Sequence, residues 1–279
     1  DGFDASGLLC REAHHVARAA ALETVTAPQR REAQRLTRRT AAALGIAVLH
    51  ELGGPEISSE SDFAEVLALA ATEPGPDVVG YWGELGGVVR ARELGALGAA
   101  GDLFADGALG SHTASLRSHY HDDAHAGAAY LTAEQVRDHL VACTDGGMQG
   151  GFHVIGDAAM DAVVDGVRAA AAVTGAETFR AARHRLEHVE MIDAAQIATL
   201  AALGVHASVQ PVFDELWGGP EGMYAERLGT DRAAGMNPLA AMAAAGVALA
   251  LGSDSPVTPL GPWAAVRAAA HHRTPEQRL

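Results

Sequence analysis

Three apolar runs in this chain each lead into a side chain that can ligate a metal: Gly151-Phe152-His153-Val154-Ile155-Gly156-Asp157, His184-Arg185-Leu186-Glu187-His188-Val189, and Val247-Ala248-Leu249-Ala250-Leu251-Gly252-Ser253-Asp254-Ser255-Pro256. Two imidazoles and a carboxylate are a donor set for zinc, iron, nickel or manganese. A divalent ion held this way lowers the pKa of a bound water towards neutrality, and an aspartate beside it can take the proton and pass it to a leaving group. The chemistry that follows is hydrolysis. A single histidine on an apolar strand is more often a satisfied structural residue. What raises His153, His188 and Asp254 above that is their agreement at three strand ends.

The elements that must position these residues are visible in the pattern. The stretch 247–251 lies between Gly246 and Gly252 and is too short to span a membrane. It reads as a buried parallel strand with Asp254 just past its carboxyl end, the edge where parallel α/β proteins gather their chemistry. Six more strands are expected near 46–50, 78–82, 102–105, 151–155, 184–188 and 205–210. Helices alternate with them. Pro28 and Gly45 bracket a helix, another is expected over 63–71, and Thr132 with Gln135 has capping-box spacing. Asp157, Asp193 and Asn237 stand where caps belong, Met160, Val163, Val164 and Val167 share one helix face, and Pro262 opens a terminal helix. No Gly-x-Gly-x-x-Gly or phosphate-loop lysine follows the first strand, so an open nucleotide-binding sheet loses ground. The expected fold is α/β, a TIM-type (β/α)8 barrel with one strand missing, forming a single domain over 1–279.

Composition narrows the partners. A chain of 279 residues can hold a barrel of about 250. With 35 acidic against 20 basic residues and a formal charge of −15, nucleic acid is not an expected partner. No apolar run approaches the roughly 18 residues of a spanning helix and no charged-then-apolar leader opens the chain, so no membrane partner is expected; Asp1-Gly2-Phe3-Asp4 need not be a natural start. Cys10 and Cys143 are too few for a disulfide framework, and the expected compartment is the cytoplasm. All 20 basic residues are arginine, which excludes a Schiff base or a carbamylated lysine within the chain. The expected partner is a small-molecule substrate, with a homo-oligomer compatible with an unfinished barrel.

In the segments 103–114 (Leu-Phe-Ala-Asp-Gly-Ala-Leu-Gly-Ser-His-Thr-Ala), 152–157 (Phe-His-Val-Ile-Gly-Asp), 185–188 (Arg-Leu-Glu-His), 207–211 (Ala-Ser-Val-Gln-Pro) and 252–257 (Gly-Ser-Asp-Ser-Pro-Val), the chain resembles the metal-dependent amidohydrolase superfamily, in particular its amidohydrolase-3 group of YtcJ-like proteins. The resemblance implies a distorted barrel binding one or two divalent metals. Their ligands would be a His-x-His pair on strand one, a bridging residue on strand four, histidines on strands five and six, and an aspartate on strand eight. The seven strands here then become strands two to eight, with His153 and His188 as the strand-five and strand-six ligands and Asp254 as the strand-eight aspartate. The first-strand His-x-His and the flanking β-sandwich have no counterpart, so the chain looks like the middle of a longer protein. Asp102 stands where many relatives carry a lysine, and would either ligate metal or support a ligand from behind. One Zn2+ ion is expected rather than two.

Asp106 would orient a ligand or contact substrate, although Asp-Gly is also a common turn signal. His112, on the loop after strand four, and Gln210, at the end of strand seven, are expected to contact substrate. His119-Tyr120-His121 has the spacing of the missing pair but lies in a polar stretch with no strand before it, and reads as a loop. His14-His15 and His271-His272 are adjacent on helices and point to different faces. His50 and Glu51 would stand behind the ligands, and His206 is a structural residue. The segment 213–236 has the character of a lid. The expected activity is hydrolysis of a non-peptide carbon-nitrogen bond in an amide or cyclic amide. The alternatives are a non-catalytic or incomplete barrel and an enolate-forming lyase or isomerase, the last weakened by the absence of any lysine base.

Overall fold

The computed structural model describes residues 7, 9, 11–55 and 57–271; Cys10, His272 and the Asp1–Asp4 stretch lie outside them. Helices α1 (Arg11–Glu23) and α2 (Ala27–Ala43) precede β1 (Val48–Gly53), α3 (Glu60–Thr72), β2 (Asp77–Trp82), α4 (Val88–Glu93) and β3 (Gly98–Ala99). A long loop leads to α5 (Ala133–Asp145), β4 (Gln149–Val154), α6 (Asp157–Thr174), α7 (Ala176–Ala182), β5 (Arg185–His188), α8 (Ala194–Leu203) and β6 (His206–Val209). The chain ends with α9 (Pro211–Trp217), α10 (Met223–Leu228), α11 (Thr230–Ala234), α12 (Leu239–Ala245), β7 (Leu249–Leu251) and α13 (Pro262–His271). All seven strands pair in parallel, each with its sequence neighbour. Sequential parallel strands separated by helices are the topology of a TIM-type barrel, here represented by seven strands.

The centre of the sheet is the best clothed part. On its outer face Phe152, Val154 and Leu186 pack against Val163, Val164 and Val167 of α6 and Ile197 and Leu200 of α8, all buried. Burying each large apolar side chain contributes roughly 1.5–3 kcal/mol. The expected caps of α5 and α8 form: Gln135 N–H donates to Thr132 Oγ1 at 3.3 Å, and Asp193 Oδ1 accepts from Ala195 and Gln196.

Two expected caps are absent. Gly156 caps α6, and Asp157 Oδ1 instead accepts the Arg117 N–H at 2.8 Å. Pro238 caps α12, while Asn237 adopts φ +50° and donates its backbone N–H to the Glu190 carbonyl at 2.9 Å. The third strand is also displaced. Its ladder lies at Gly98 and Ala99, after which Gly101 at φ +94° bends the chain out of the sheet. Glycine takes that conformation without a Cβ clash. The predicted 102–105 stretch then rejoins β4, with His153 N–H donating to the Leu103 carbonyl at 3.0 Å and Ala105 N–H to the His153 carbonyl at 2.9 Å.

The sheet edges differ from its middle. Val48 of β1 is 46% exposed and Leu251 of β7 is 41% exposed. Among the described residues no helix is long and apolar enough to cross a membrane.

Candidate metal centre

His153 and His188 lie on neighbouring strands, and backbone conformation brings them together. Register pairs Phe152 with Leu186 on the outer face, His153 with Glu187 on the inner face, and Val154 with His188. Strict alternation would therefore send His188 outwards with Val154. Instead His188 has φ +70° and Val189 φ +55°, both in the left-handed region. Such a conformation is a genuine outlier for a β-branched residue, costs about 1–3 kcal/mol, and is found where the surroundings impose it. Val189 N–H donating to the Val154 carbonyl at 3.0 Å and Met191 N–H to the Ile155 carbonyl at 3.2 Å hold the turn against β4. The His188 ring ends 4.5 Å from the His153 ring, centroid to centroid, at an interplanar angle of 70°.

Each imidazole has one nitrogen anchored and one not. His153 Nε2–H donates to the Gly107 carbonyl at 3.1 Å, leaving the Nδ1 lone pair. Gln210 Nε2 donates to the Ser208 carbonyl, which turns its Oε1 to accept from His188 Nδ1–H at 2.8 Å and leaves His188 Nε2 unprotonated. Anchoring one nitrogen fixes the tautomer and aims the other, the usual preparation of a ligating histidine. Burial and neighbouring His188 push the His153 pKa down to about 3; burial pushes that of His188 down to about 4. Both rings are neutral at physiological pH, the form a metal requires.

Two carboxylates feel Glu187, the register partner of His153. Asp254, at φ +52°, follows β7, and burial with the charge of Glu187 raises its pKa to about 6. Asp102 is raised to about 7, first by burial and then by Asp254 and Glu187. Negative charge from Glu187 acting on Asp254, and from both on Asp102, in a buried setting suits a cation. Imidazole lone pairs with mutually repelling carboxylates fit a divalent ion in donor chemistry, although among the described residues no three His, Cys, Asp or Glu side chains stand close enough to surround one point.

Three other expected site residues are committed to the protein itself. Asp106 is fully buried: its Oδ2 accepts from Ser115 N–H and Gly156 N–H at 2.8 Å each, and its Oδ1 from Ile155 N–H at 3.0 Å. It clamps the loop after β3 to the start of α6. Gln210 orients His188 rather than reaching into the mouth. His112, at φ +55°, places its Nε2 3.0 Å from both oxygens of Asp122, which also pairs with Arg227 of α10. That chain ties the loop to the 211–234 helices. His119 and His121 lie in the same loop, outside any helix or strand.

The inner face holds residues that motif and spacing do not single out. Arg185 pairs with Glu187 on the same strand, donates to His50 Nδ1 at 2.7 Å and to Ser208 Oγ at 3.2 Å, and lies over the Tyr81 ring at 4.6 Å. Arg185 and Glu187 are two residues apart on one strand, so a period of two places both inside; only the strand's hydrophobic neighbours disguise it. His50 thus meets Arg185, not a histidine ligand. Glu190, Tyr224 and Asn237 are likewise buried just outside the pair.

The fold is a TIM-type strand-helix barrel, represented by seven strands, with two anchored imidazoles side by side at its carboxyl edge. The chain belongs to the amidohydrolase family, whose model matches residues 1–279. It is 33% identical over 175 residues to Protein LONG AFTER FAR-RED 3 of Arabidopsis thaliana, a match covering 62% of this chain and 29% of that protein. It is 29% identical over 172 residues to the putative amidohydrolase YtcJ of Bacillus subtilis strain 168, covering 60% of this chain and 30% of YtcJ. The chain thus spans less than a third of the curated relatives it matches. Its fold is similar to an uncharacterized metal-dependent hydrolase from Pyrococcus furiosus, with TM-score 0.76 and 23% identity over 100% of this chain and 58% of that one.

Proposed function

We propose that this chain carries the metal-binding face of a divalent-metal-dependent hydrolase that cleaves a carbon-nitrogen bond of a non-peptide amide or cyclic amide. The observation that carries it is the His153–His188 pair, 4.5 Å apart, each ring anchored through one nitrogen and bare on the other. The names amidohydrolase and metal-dependent hydrolase among the relatives support a metal-dependent hydrolase. His153 Nδ1 and His188 Nε2 would hold the ion, with Asp254 as third ligand and Asp102 beside it; zinc suits this borderline set. The chemistry such an ion supplies is acidification of water towards neutral pH.

The chain's own residues do the rest. Asp254 takes a proton from the attacking water and returns it to the leaving nitrogen. Gln210 keeps His188 in one tautomer, and the Gly107 carbonyl does the same for His153. Glu187, held by Arg185, stands behind Asp254 and Asp102 and keeps negative potential at the mouth.

Elemental analysis of zinc-loaded, desalted protein tests this reading against its rival. About one ion per chain, lost in His153→Ala and in His188→Ala, together with hydrolysis of members of an amide panel, is the expected outcome. Because no three donors close around one point among the described residues, a non-catalytic barrel is the second reading. It would be established by wild-type protein that holds no ion and cleaves no amide.

A further inference from the structure

On the outer face of the sheet, a cavity of about 230 Å3 lies between α2, α3 and the strands β1 and β2. Strand alternation decides which side chains reach it: His50 turns inwards to Arg185, so Leu49 and Glu51 turn outwards. Glu51 therefore does not stand behind the metal ligands but faces the helices on the far side of the sheet. Leu49, Val66 and Val78 supply apolar walls, and Glu51, Asp62 and Gln34 supply acceptors.

Glu51 is the unusual member. Burial pushes its pKa up, the charge of Asp62 pushes it further, and no base offsets them. Two arginines line the same cavity, but both are engaged elsewhere. Arg38 is buried and gives its guanidinium to the carbonyls of Leu69, Glu73 and Pro76. Arg30 donates from Nη1 to the Val25 carbonyl at 2.8 Å, and its Nε lies 4.0 Å from Asp62 Oδ1. Gln34 Nε2 donates to the Asp62 carbonyl at 3.1 Å and to Asp62 Oδ1 at 2.7 Å, which fixes the amide and leaves its Oε1 without a partner. A partly buried carboxyl without a base and an amide oxygen without a donor are costly to keep. A ligand that brings N–H donors and a positive charge relieves both. An anion would be repelled by Glu51 and Asp62, and a neutral apolar molecule would leave Glu51 unpaired. A bare metal ion lacks its donors, since among the described residues no three His, Cys, Asp or Glu side chains surround one point. The volume is below the roughly 300 Å3 at which pockets for drug-sized ligands begin, so the ligand is small.

We propose that this cavity binds a small primary ammonium with a short apolar tail, its N–H groups directed to Glu51 and to Gln34 Oε1 and its tail lying against Leu49, Val66 and Val78. The site is on the opposite face of the sheet from His153 and His188 and does not depend on the hydrolase reading.

Isothermal titration calorimetry tests it. n-Butylammonium chloride is titrated into the full chain at pH 7, with 1-butanol as the neutral isostere and butyrate as the anionic one. Saturable binding of n-butylammonium, at least about tenfold tighter than of either isostere, is expected from one charge-assisted hydrogen bond. Glu51→Gln keeps the shape but removes the charge, and weakens binding at least about tenfold. Because it deletes an unpaired carboxyl it is expected to fold, with circular dichroism as the check. Gln34→Met, which removes the acceptor, weakens binding about three- to tenfold, and His153→Ala leaves it within about twofold of the wild type. n-Butylammonium that binds no more tightly than 1-butanol overturns the proposal and leaves the cavity to water. So does binding that persists in Glu51→Gln, or binding that disappears in His153→Ala, which would move the amine to the metal centre. The isostere comparison uses the wild-type chain alone, so the proposal can fail even where a variant does not fold.

Discussion

The middle and the edge of the sheet are built differently, and the two halves of the candidate metal centre divide along that line. β4 and β5 are buried along almost their whole length, with Phe152 at 0% and Leu186 at 1% exposure under α6 and α8. β1 and β7 leave Val48 and Leu251 about half exposed. The histidines stand on the rigid middle, whereas Asp254 hangs from the edge strand. The imidazole pair is thus held by the packed centre, whereas the aspartate depends on a strand that the packing covers less.

The sharpest test is a truncation at the centre. Phe152→Ala is expected to cost about 3–5 kcal/mol in chemical denaturation, the range for emptying a fully packed aromatic site. A cost near that of an edge substitution would break the contrast.

Acid comes next. His184 accepts the Gly150 N–H at 2.9 Å and its other nitrogen donates to Thr144 Oγ1 at 2.9 Å, tying β4 to α5 in the neutral form. Burial holds its pKa at about 4, below the ordinary 6.5. The unfolded chain therefore binds this proton first. The stabilisation is complete above pH 6.5 and is lost as the pH falls towards 4, with each pH unit between those two values removing about 1.4 kcal/mol. Urea midpoints at pH 7 and pH 4.5 should differ at least accordingly, because His153 and His188 are depressed in the same way, and His184→Gln should reduce the difference by the share of this one group.

Gln210→Leu leaves His188 Nδ1–H without its partner. Zinc affinity should fall roughly 10–100-fold by competition with a chelator, with the stoichiometry unchanged. An unchanged affinity would show that the left-handed turn alone aims the ring. Smallest of all, Leu251→Ala at the edge should cost less than about 1 kcal/mol in the same denaturation assay. A larger loss would mean that β7 is as firmly built as the centre.

Much of this was readable from the chain. Apolar runs bounded by glycine mark the strands, Thr132–Gln135 and Asp193 mark helix starts, and His153 falls at a strand end because a period of two puts it on the inner face. Those features are local, and local chemistry decides them. Asp157 and Asn237 misled because a capping residue type becomes a cap only when its backbone is extended, and long-range contacts turned both elsewhere.

Residue types and spacing determined the parallel strand-helix order, the central apolar core and the presence of two histidines and an aspartate at the carboxyl edge. Only the tertiary structure decided that His188 turns inwards through a left-handed backbone, that Gln210 orients His188, and that Asp106 clamps the loop after β3 to the start of α6. Hydrophobic periodicity reports which face a residue takes within its own element. Whether a polar atom finds a partner, or a backbone is forced into strain, depends on segments far apart in sequence packing against one another.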